Sequence, residues 1–539
     1  MERKTDWGLD IKELYNPDDL KDIDYSKDIN DPAKYPYTRG FYKHGYRKRE
    51  FTRHQTCGFG SASNTNKILK DNIARGQKGG FGVISDRPSY IPVDHDHPLA
   101  KSEGGVVGVA LATIADMEDL LEGIPLQGQS ITFSNWGIPG VLTQALLFAY
   151  MENRGIDFKS IRGGVGGSPL TVIFGHDDLH PLELGMKATV DIMEYFARNE
   201  LTVRFALTSN DLREAGITIG WELAILFANF KEIFNRLIER GLDFDDFASK
   251  VYTPVSVGTR FFEEIAKMRA MRKMWAKMAK DYGAKKERSY TLILPVKTSG
   301  AALTYQQPLN NIIRGTIACM AGVLGGCSAV DMSTYDEPIC EPSDQAFRLA
   351  FATQAIVTYE SGATDTVDPM GGSYYVESLT REVEQEAYRC WDEIEKMGGL
   401  WAAIESGWLD KLWNDTIYKE NMDIKTKKKT LVGVNEMVLP QEEEEEVPIC
   451  EPPPNMAMEI SRNFTEFKKS RDNKRVEKAL HNLYNDAKKG DKFNLIPTMI
   501  EAYKSYATSA EIWGTVRYAY GASYDPLNVI EFPYKWGKK

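Results

Sequence analysis

The sequence has few cysteines, no long apolar run and no overall excess of positive charge. Its six cysteines are scattered over 539 residues without Cys-x-x-Cys spacing, which argues against a disulfide framework. No apolar stretch reaches the length of a membrane span or follows a signal-peptide pattern. The net charge of −11 argues against general binding to nucleic acid or anionic membranes. These absences predict a reduced, cytoplasmic protein without nucleic-acid or membrane partners.

The chain is long enough for one large barrel with extra elements, or for about two to four ordinary domains. Short apolar runs rich in β-branched residues alternate with helical patterns, and a clear amphipathic helix is predicted over 261–280. The predicted strands are 81–85, 130–134, 202–207, 251–257, 291–295 and 329–332. This alternation predicts a parallel α/β fold, for which a (β/α)8 TIM barrel is favoured and a doubly wound sheet stays open.

Four segments follow from composition. Residues 1–34 are polar and are predicted to form an N-terminal arm, and 35–432 contain the barrel. Residues 433–454 read as a linker because they contain the acidic run 442–446 and consecutive prolines. Residues 455–539 are predicted to form a helical C-terminal extension.

A block rich in tyrosine and basic residues lies near the front of the chain, over 35–54. It is too aromatic for a solvated tail and too cationic for a core. Aromatic faces and cationic side chains together suit a ligand that carries phosphate and a flat ring. The block therefore predicts a site for a nucleotide-like group.

Two other motifs are predicted to be structural. Residues 94–97 read Asp-His-Asp-His, but neighbours on an extended segment point to alternate faces and do not converge on one metal. The glycine-rich stretch 163–167 lacks the Lys-Ser/Thr ending of a phosphate loop. No metal site is predicted.

Several motifs occur in the same order as in one protein family. They are YPYTRG at 35–40, FFEEIAKMRA at 261–270, TSG at 298–300, LGG at 324–326 followed by DE at 336–337, and DPMGGSYYVE at 368–377. With them the chain resembles the large, substrate-binding part of the adenosylcobalamin-dependent acyl-CoA mutases, the methylmalonyl-CoA mutase family. The resemblance runs from about residue 35 to the C-terminus.

The resemblance implies an acyl-CoA-binding TIM barrel threaded by the pantetheine chain, with adenosylcobalamin across one mouth. In the family, a separate domain carries the lower cobalt ligand in an Asp-x-His-x-x-Gly motif. The nearest string here, Asp178-Leu-His180-Pro-Leu-Glu183, has glutamate in place of the glycine. The expectation is therefore a chain without a cobalamin-binding domain, partnered by a small cobalamin-binding subunit in a heterotetramer. A G-protein chaperone for the mutase is a further candidate partner.

The CoA contacts of the family match at three positions. Tyr42, Arg49 and Thr52 agree with the family pattern, and His54 stands where a second arginine is usual. These four residues are the predicted CoA-binding set.

The acyl pocket departs from the family at several positions. Thr56 replaces the aromatic residue that presses on the adenosyl group, and Gly164-Val-Gly166 lacks the carbonyl-binding glutamine. Lys187 aligns with the arginine that pairs with the substrate carboxylate. Asn210 and Asp211 end the loop that reads Gly-Tyr-His in the family, so Asp211 replaces the carbonyl-polarising histidine.

These departures predict a changed substrate. Smaller residues at Thr56 and Gly166 should enlarge the pocket for a bulkier acyl group. An ionised Asp211 accepts hydrogen bonds, so with Asn210 it is expected either to bind a hydroxyl or amine of the substrate or to pair with Lys187. Lys187 is alternatively expected to contact a carboxylate as a point charge. The alternative is a structural role, in which these residues merely form a buried ion pair or face away from the substrate.

Three functions stay open at this point. The leading one is the large subunit of an isomerase, a coenzyme B12-dependent mutase that rearranges the carbon skeleton of an atypical acyl-CoA by radical chemistry. The second is a catalytically silent, mutase-like scaffold subunit. The third is a CoA-binding enzyme that no longer uses cobalamin.

Overall fold

The computed structural model describes residues 3–74, 77, 80–127, 130–135, 137–167, 169–170, 181–443 and 452–537. The strands are short, as is usual where long connections carry the chain between parallel neighbours. They are β1 Thr52–His54, β2 Thr56–Cys57, β3 Phe59–Gly60, β4 Phe81–Val83, β5 Gly108–Val109, β6 Ser130–Phe133, β7 Arg162–Gly166, β8 Arg204–Ala206, β9 Val251–Tyr252, β10 Val255–Val257, β11 Pro295–Thr298 and β12 Ala329–Asp331.

Helices make up most of the rest of the described chain. They are α1 Ala62–Ala74, α2 Arg87–Tyr90, α3 Ile114–Leu121, α4 Ile138–Asn153, α5 Leu182–Arg198, α6 Asn210–Glu214, α7 Ile219–Glu239, α8 Phe244–Phe247, α9 Phe261–Asp281, α10 Asn310–Leu324, α11 Asp344–Tyr359, α12 Tyr374–Lys396, α13 Leu400–Glu405, α14 Trp408–Lys425, α15 Met456–Ser470, α16 Asn473–Ala487, α17 Ile496–Lys504 and α18 Ser509–Ala519.

The chain divides into two compact units that do not follow its linear order. The first unit contains Met1–Gln55, Leu207–Phe234 and Val251–Glu451. The second unit contains Thr56–Ala206, Asn235–Lys250 and Pro452–Lys539. The C-terminal extension belongs to the same unit as residues 56–206.

The first unit is built on a parallel sheet in the order β1-β12-β11-β10. One face of this sheet lies under helices: a Cβ added at Gly322 of α10 would stand 3.0 Å from Val296 Cγ1 of β11. Valines at one register position fill that face and are almost fully buried; they are Val255, Val296 and Val330. Their neighbours along the strands therefore project from the opposite face.

The second unit contains the parallel order β2-β4-β6-β7-β8 and a separate pair, β3-β5. Helix α4 is buried from Ile138 to Met151, and α17 of the C-terminal extension packs on it. A helix that is apolar all round requires cover on every side. The extension provides part of that cover, and Lys504 of α17 reaches Glu152 at 2.9 Å.

Most of the predicted strands are confirmed, with shorter bounds. The predictions 81–85, 130–134, 202–207 and 329–332 correspond to β4, β6, β8 and β12. The predicted strand 251–257 is divided into β9 and β10 around Pro254, which has no N–H to donate to a ladder. The strand predicted over 291–295 lies further along the chain, because the continuous ladder of β11 begins only at Pro295.

Strand β7 was missed because three of its five residues are glycine. Gly163 has φ +107°, and a Cβ there would stand 2.0 Å from the carbonyl oxygen of Ile131 in β6. Glycine at this position lets two strands approach closely. The stretch 163–166 is thus strand, in agreement with the prediction that it is not a phosphate loop.

The predicted helix 261–280 is confirmed as α9. Its amphipathic pattern is only partly realised, because Phe262 is 40% exposed. The helix is buried from Glu263 to Ala276 even at charged positions, and Arg269 forms ion pairs with Asp368 and Glu377 at 2.5 and 2.6 Å. The parallel α/β class is confirmed, and no helix among the described residues has the length and apolarity needed to cross a membrane.

Candidate functional site

A row of polar residues crosses the sheet of the first unit near the carboxyl ends of its strands. His54 of β1 pairs in register with Asp331 of β12, which pairs with Lys297 of β11, which pairs with Ser256 of β10. Residues at one register position project to the same face. This face is the one opposite the buried valines, so the row is directed away from the helices that cover the other side.

Helix α6 brings further polar groups to β10, against which it packs. Its last residue, Glu214, accepts hydrogen bonds from Ser256 Oγ at 2.5 Å and from Ser299 Oγ at 3.2 Å. The N–H of Ala301 also donates to Glu214, at 2.8 Å. Helix α6 is therefore fixed to the ends of β10 and β11 by a single carboxylate.

The first two residues of α6 are the predicted catalytic pair. Asn210 is 8% exposed, its N–H donates to Thr208 Oγ1 at 2.9 Å, and its side-chain oxygen has no hydrogen-bond partner among the described residues. Burial raises the pKa of Asp211 to about 6; Glu214 raises it further, whereas a hydrogen bond from Asn210 and the charge of Lys297 lower it. The side-chain oxygens of Asn210 and Asp211 are therefore acceptors with few hydrogen-bond partners among the described residues.

Lys297 lies among carboxylates. Its only ion pair among the described residues is a loose one, 3.9 Å to Glu337. Burial lowers the pKa of Lys297, but Glu337, Asp331, Glu214 and Asp211 more than offset this and raise the pKa above its ordinary value. Lys297 therefore stays protonated at neutral pH.

A buried ion network lies beneath α6 and holds it in place. Glu222 accepts a hydrogen bond from Ser209 Oγ at 2.9 Å and pairs with Lys267 at 3.2 Å. Lys267 also pairs with Glu264 at 2.7 Å and donates to the carbonyl of Ser256 at 2.7 Å. These side chains are fully buried and mutually paired, so they position the loop before α6 and are not free to bind a ligand.

The N-terminal arm is attached to the same helix. Asp6 pairs with Arg213 of α6 at 2.6 Å, and the N–H of Asp6 donates to Glu263 at 3.2 Å. Further along the arm, Asp28 pairs with Lys273 at 2.8 Å. The predicted arm is thus an ordered part of the first unit.

The basic block forms a cavity ahead of β1. Its volume is about 400 Å³, and its lining is Lys43, His44, Arg47, Lys48, Thr366 and Val367. The predicted CoA residues Tyr42 and Arg49 are exposed and lie in the same short stretch of chain. Thr52 and His54 are two apart in β1, so they face the same side of the sheet as the polar row.

The remaining pocket residues lie in the second unit. Thr56 of β2 has its Oγ1 3.4 Å from Ser134 Oγ. Gly164 of β7 pairs in register with Thr132 and Arg204, and Gly166 pairs with Ala206. Their place in an acyl pocket stays a prediction.

Lys187 has a different environment from the one predicted. Its Nζ donates to Asp191 at 2.9 Å and to the carbonyls of Asp491 and Phe493 at 3.0 and 2.7 Å. An ammonium has three donors, and all three are used here. The geometry therefore argues against a Lys187 contact with a substrate carboxylate or with Asp211, and gives Lys187 a role in attaching the C-terminal extension.

The residues 94–97 all have partners, and Asp94 and Asp96 share one. Asp94 and Asp96 pair with Lys468 at 2.7 and 3.2 Å, while His95 pairs with Asp86 at 2.8 Å. His97 pairs with Asp525 at 3.1 Å. The contacts of Asp94, Asp96 and His97 connect the loop to the C-terminal extension. Asp178 and His180, the nearest string to a cobalamin motif, lie outside the described residues.

Lys297, Asp331 and Ser256 were missed as site residues. Lys297 lies two residues beyond the end of its predicted strand, and only the register of β11 with β12 brings it next to Asp331. The local pattern Pro-Val-Lys-Thr carries one usable signal, which is a charged residue directly after an apolar run.

Comparison with known proteins connects these residues to one family. The family model described as methylmalonyl-CoA mutase matches residues 4–522. The 2-hydroxyisobutanoyl-CoA mutase large subunit of Aquincola tertiaricarbonis is 35% identical over 521 residues, which are 94% of this chain and 91% of that protein. The methylmalonyl-CoA mutase of Rhizobium meliloti (strain 1021) is 31% identical over 520 residues, 96% of this chain and 72% of the relative.

The mitochondrial methylmalonyl-CoA mutase of Homo sapiens is 32% identical over 521 residues, 96% of this chain and 68% of the human protein. These relatives are named as CoA mutases, which are isomerases. Both the extent of the family match and the shared identity exceed what a common fold alone requires. The chain belongs to the methylmalonyl-CoA mutase family.

Proposed function

We propose that this chain is the large subunit of a coenzyme B12-dependent acyl-CoA mutase that rearranges the carbon skeleton of an acyl-CoA with a bulky or polar-substituted acyl group. The observation that carries the proposal is the arrangement along β1. A cationic cavity precedes the strand, and the strand ends in the polar row that α6 borders. A long ligand with phosphates at one end and a reacting group at the other suits this arrangement.

The cationic cavity would bind the phosphates of CoA. Lys43, His44, Arg47 and Lys48 line it together, and cationic donors form strong, charge-assisted hydrogen bonds with phosphate. Tyr42 is exposed beside them and offers a ring to the adenine. Arg49, Thr52 and His54 then follow along the chain as contacts for the rest of CoA.

The acyl group would lie at α6. Asn210 and Asp211 present acceptors, which favours an acyl group with a hydroxyl or an amine over one with only alkyl carbons. The relative named 2-hydroxyisobutanoyl-CoA mutase acts on a hydroxylated acyl group, which supports the same class here. Thr56, Gly164 and Gly166 complete this proposal from the family alignment alone.

The cofactor would be adenosylcobalamin, which supplies the adenosyl radical that begins the rearrangement. Of the described histidines, His95 and His97 are bound to buried carboxylates and His481 packs 4.7 Å from the Trp536 ring. These three do not fit the lower ligand of cobalt. His44 and His54 belong to the proposed CoA site. We assign the lower ligand to a separate small subunit, which the name "large subunit" of the Aquincola relative supports.

The same proposal includes the shape and partners of the protein. The parallel strands alternating with helices, together with the family match, support a TIM barrel around the CoA chain. A cytoplasmic heterotetramer with two small subunits, served by a G-protein chaperone, follows from the family resemblance. The ordered contacts of the polar row favour an active enzyme over a silent scaffold.

The first experiment is calorimetric titration of CoA into the purified chain. The double variant Arg47→Ala with Lys48→Ala should bind CoA roughly tenfold or more weakly, because charge-assisted contacts to phosphate are lost. Lys425→Ala with Lys428→Ala removes two exposed lysines elsewhere in the first unit and serves as the control. Equal CoA affinity for the native chain and the cavity variant would contradict the proposed CoA site.

The second experiment is turnover. The chain, its cobalamin-binding subunit and adenosylcobalamin are incubated with a panel of acyl-CoA thioesters, and isomers are separated by chromatography. Rearrangement of at least one thioester is expected. No rearrangement across the panel, with CoA binding retained, would favour the silent scaffold.

A further inference from the structure

Lys297 is a charged residue of the polar row with few contacts of its own. Its side chain is 44% exposed, and its only ion pair among the described residues spans 3.9 Å. That distance is too long for a hydrogen bond. Nothing in the described part of the chain accepts a hydrogen bond from this ammonium, which leaves three donors for a ligand.

Two buried lysines in the molecule behave differently. Lys267 donates to a carbonyl at 2.7 Å and pairs with Glu264 at 2.7 Å. Lys187 uses all its donors at 2.7 to 3.2 Å. Lys297 differs from these two because its donors have no acceptor among the described residues, and its position in the polar row favours contact with a ligand.

The surroundings of Lys297 limit what that ligand is. The carboxylates of Glu214 and Glu337 converge nearby, because a Cβ at Gly300 would lie 3.8 Å from one and 2.7 Å from the other. Asp331 is its register neighbour in the sheet. Another full negative charge would be repelled by this set, whereas a neutral oxygen acceptor would gain an ammonium donor without that cost.

The reaction needs such a donor. In the family pattern the thioester carbonyl is bound by a glutamine and a histidine, and the aligned residues here are Gly166 and Asp211. A glycine has no side chain, and an ionised carboxylate accepts hydrogen bonds without donating any. Polarisation of the carbonyl therefore requires a donor from another element of the fold.

We propose that Lys297 is a catalytic residue that donates a hydrogen bond to the thioester carbonyl oxygen of the bound acyl-CoA. The inference rests on the proposed function and adds a residue to it. Lys297 shares its sheet face with Thr52 and His54, which are proposed to contact the CoA chain. The ammonium keeps its proton throughout, and its role is to stabilise negative charge on the oxygen.

A structural role would look different. If Lys297 only neutralises Glu337 and Asp331, its removal should alter stability and leave the bound carbonyl unchanged. The deciding readout is therefore the stretching frequency of the carbonyl itself, because an ammonium hydrogen bond weakens the C=O bond and lowers that frequency.

The test uses 2-hydroxyisobutanoyl-CoA labelled with ¹³C at the thioester carbonyl, bound to the chain without cofactor. Isotope-edited infrared difference spectra are recorded for the native chain, Lys297→Met, Lys297→Arg and the control Lys231→Met. Lys231 has a comparable exposure of 41% and pairs with Glu395 elsewhere in the first unit. Binding is confirmed beforehand by calorimetry with CoA and with the thioester.

The expected result is a lower carbonyl frequency in the native chain and Lys231→Met than in Lys297→Met, with Lys297→Arg closer to native. CoA affinity should be equal in all four proteins, and kcat in the assembled enzyme should fall about a hundredfold or more in Lys297→Met. Identical carbonyl frequencies in native and Lys297→Met at saturation would overturn the inference. Failure of the native chain to bind CoA would instead overturn the proposed function.

Discussion

Two lysines show how differently this molecule uses a buried or half-buried charge. Lys187 in the second unit is 6% exposed and fully engaged with Asp191 and two backbone carbonyls. Lys297 in the first unit is 44% exposed and has one loose ion pair among the described residues. Only Lys187 was identified from the sequence, yet only Lys297 keeps donors available for a substrate.

The comparison teaches that a charged side chain whose hydrogen-bonding capacity is filled within the protein has a structural role. A charged side chain with unused capacity can instead bind a substrate. The cluster of Lys187, Asp191 and Arg240 is closed, and Asp191 also accepts from the N–H of Leu495 at 3.1 Å. The set around Asn210, Asp211 and Lys297 is open, with a buried amide oxygen that has no partner in the described chain. Substitutions in a closed cluster should therefore lower the free energy of unfolding. Substitutions in an open cluster should lower the rate of turnover.

The largest effect is expected from Asp191→Ala. This substitution leaves Lys187 buried without a carboxylate and Arg240 with Glu194 alone, and breaking a buried pair in this way costs about 3–5 kcal/mol in the free energy of unfolding. Urea unfolding followed by circular dichroism measures the loss. A decrease below about 1 kcal/mol would show that the cluster is not the closed structural unit described.

Asp211→Ala should act on turnover. Because Asp211 is proposed to bind the acyl group, kcat/KM should fall by roughly a hundredfold, while the urea midpoint should not fall. The measurement is isomerisation of the best acyl-CoA of the panel by the assembled enzyme. Nearly unchanged turnover would mean that Asp211 faces away from the substrate.

A smaller effect concerns pH. Burial raises the pKa of Asp211 to about 6 from an unfolded value of 3.8, so the folded chain binds this proton more tightly. The associated stability is present below the unfolded pKa and is lost as pH rises through about 6. Asp211→Asn should therefore raise the melting temperature relative to native by an amount that grows between pH 5 and pH 7.

Differential scanning fluorimetry across that range checks the pH prediction. Glu214 and Lys297 are the charged neighbours that contribute to the pKa of Asp211. A difference between native and Asp211→Asn that is constant with pH would contradict the prediction.

The smallest effect is expected at the protein surface. Glu501 is 64% exposed and pairs with Lys504 at 2.7 Å. Glu501→Ala should change the free energy of unfolding by less than about 1 kcal/mol, because an exposed ion pair is well solvated. A loss as large as that of Asp191→Ala would remove the distinction between closed clusters and ordinary surface pairs.

The fold was largely accessible from the sequence where local patterns are strong. Helix α9 and strands β4, β6, β8 and β12 follow from hydrophobic periodicity. Strand β7 does not follow from periodicity, because position 163 requires glycine for the close approach to Ile131, and glycine has a low propensity for strands. The division into two units was also hidden, since the extension after residue 452 packs with segments hundreds of residues earlier.

The site was only partly accessible. The motif at 209–211 identified Asn210 and Asp211, and the basic block identified the cationic cavity. The partners of Lys187 lie more than 300 residues away in sequence, at Asp491 and Phe493, so no local pattern could reveal that its donors are used. Lys297 required the register of three strands.

The most direct measurement is the relative rate at which the assembled enzyme rearranges different acyl-CoA thioesters in the presence of adenosylcobalamin. We expect rearrangement of a thioester whose acyl group carries a hydroxyl or an amine, and much slower rearrangement of methylmalonyl-CoA, because Lys187 is engaged and the open site is already acidic. Equal or faster rearrangement of methylmalonyl-CoA would contradict the assignment of the open cluster as the acyl-binding site.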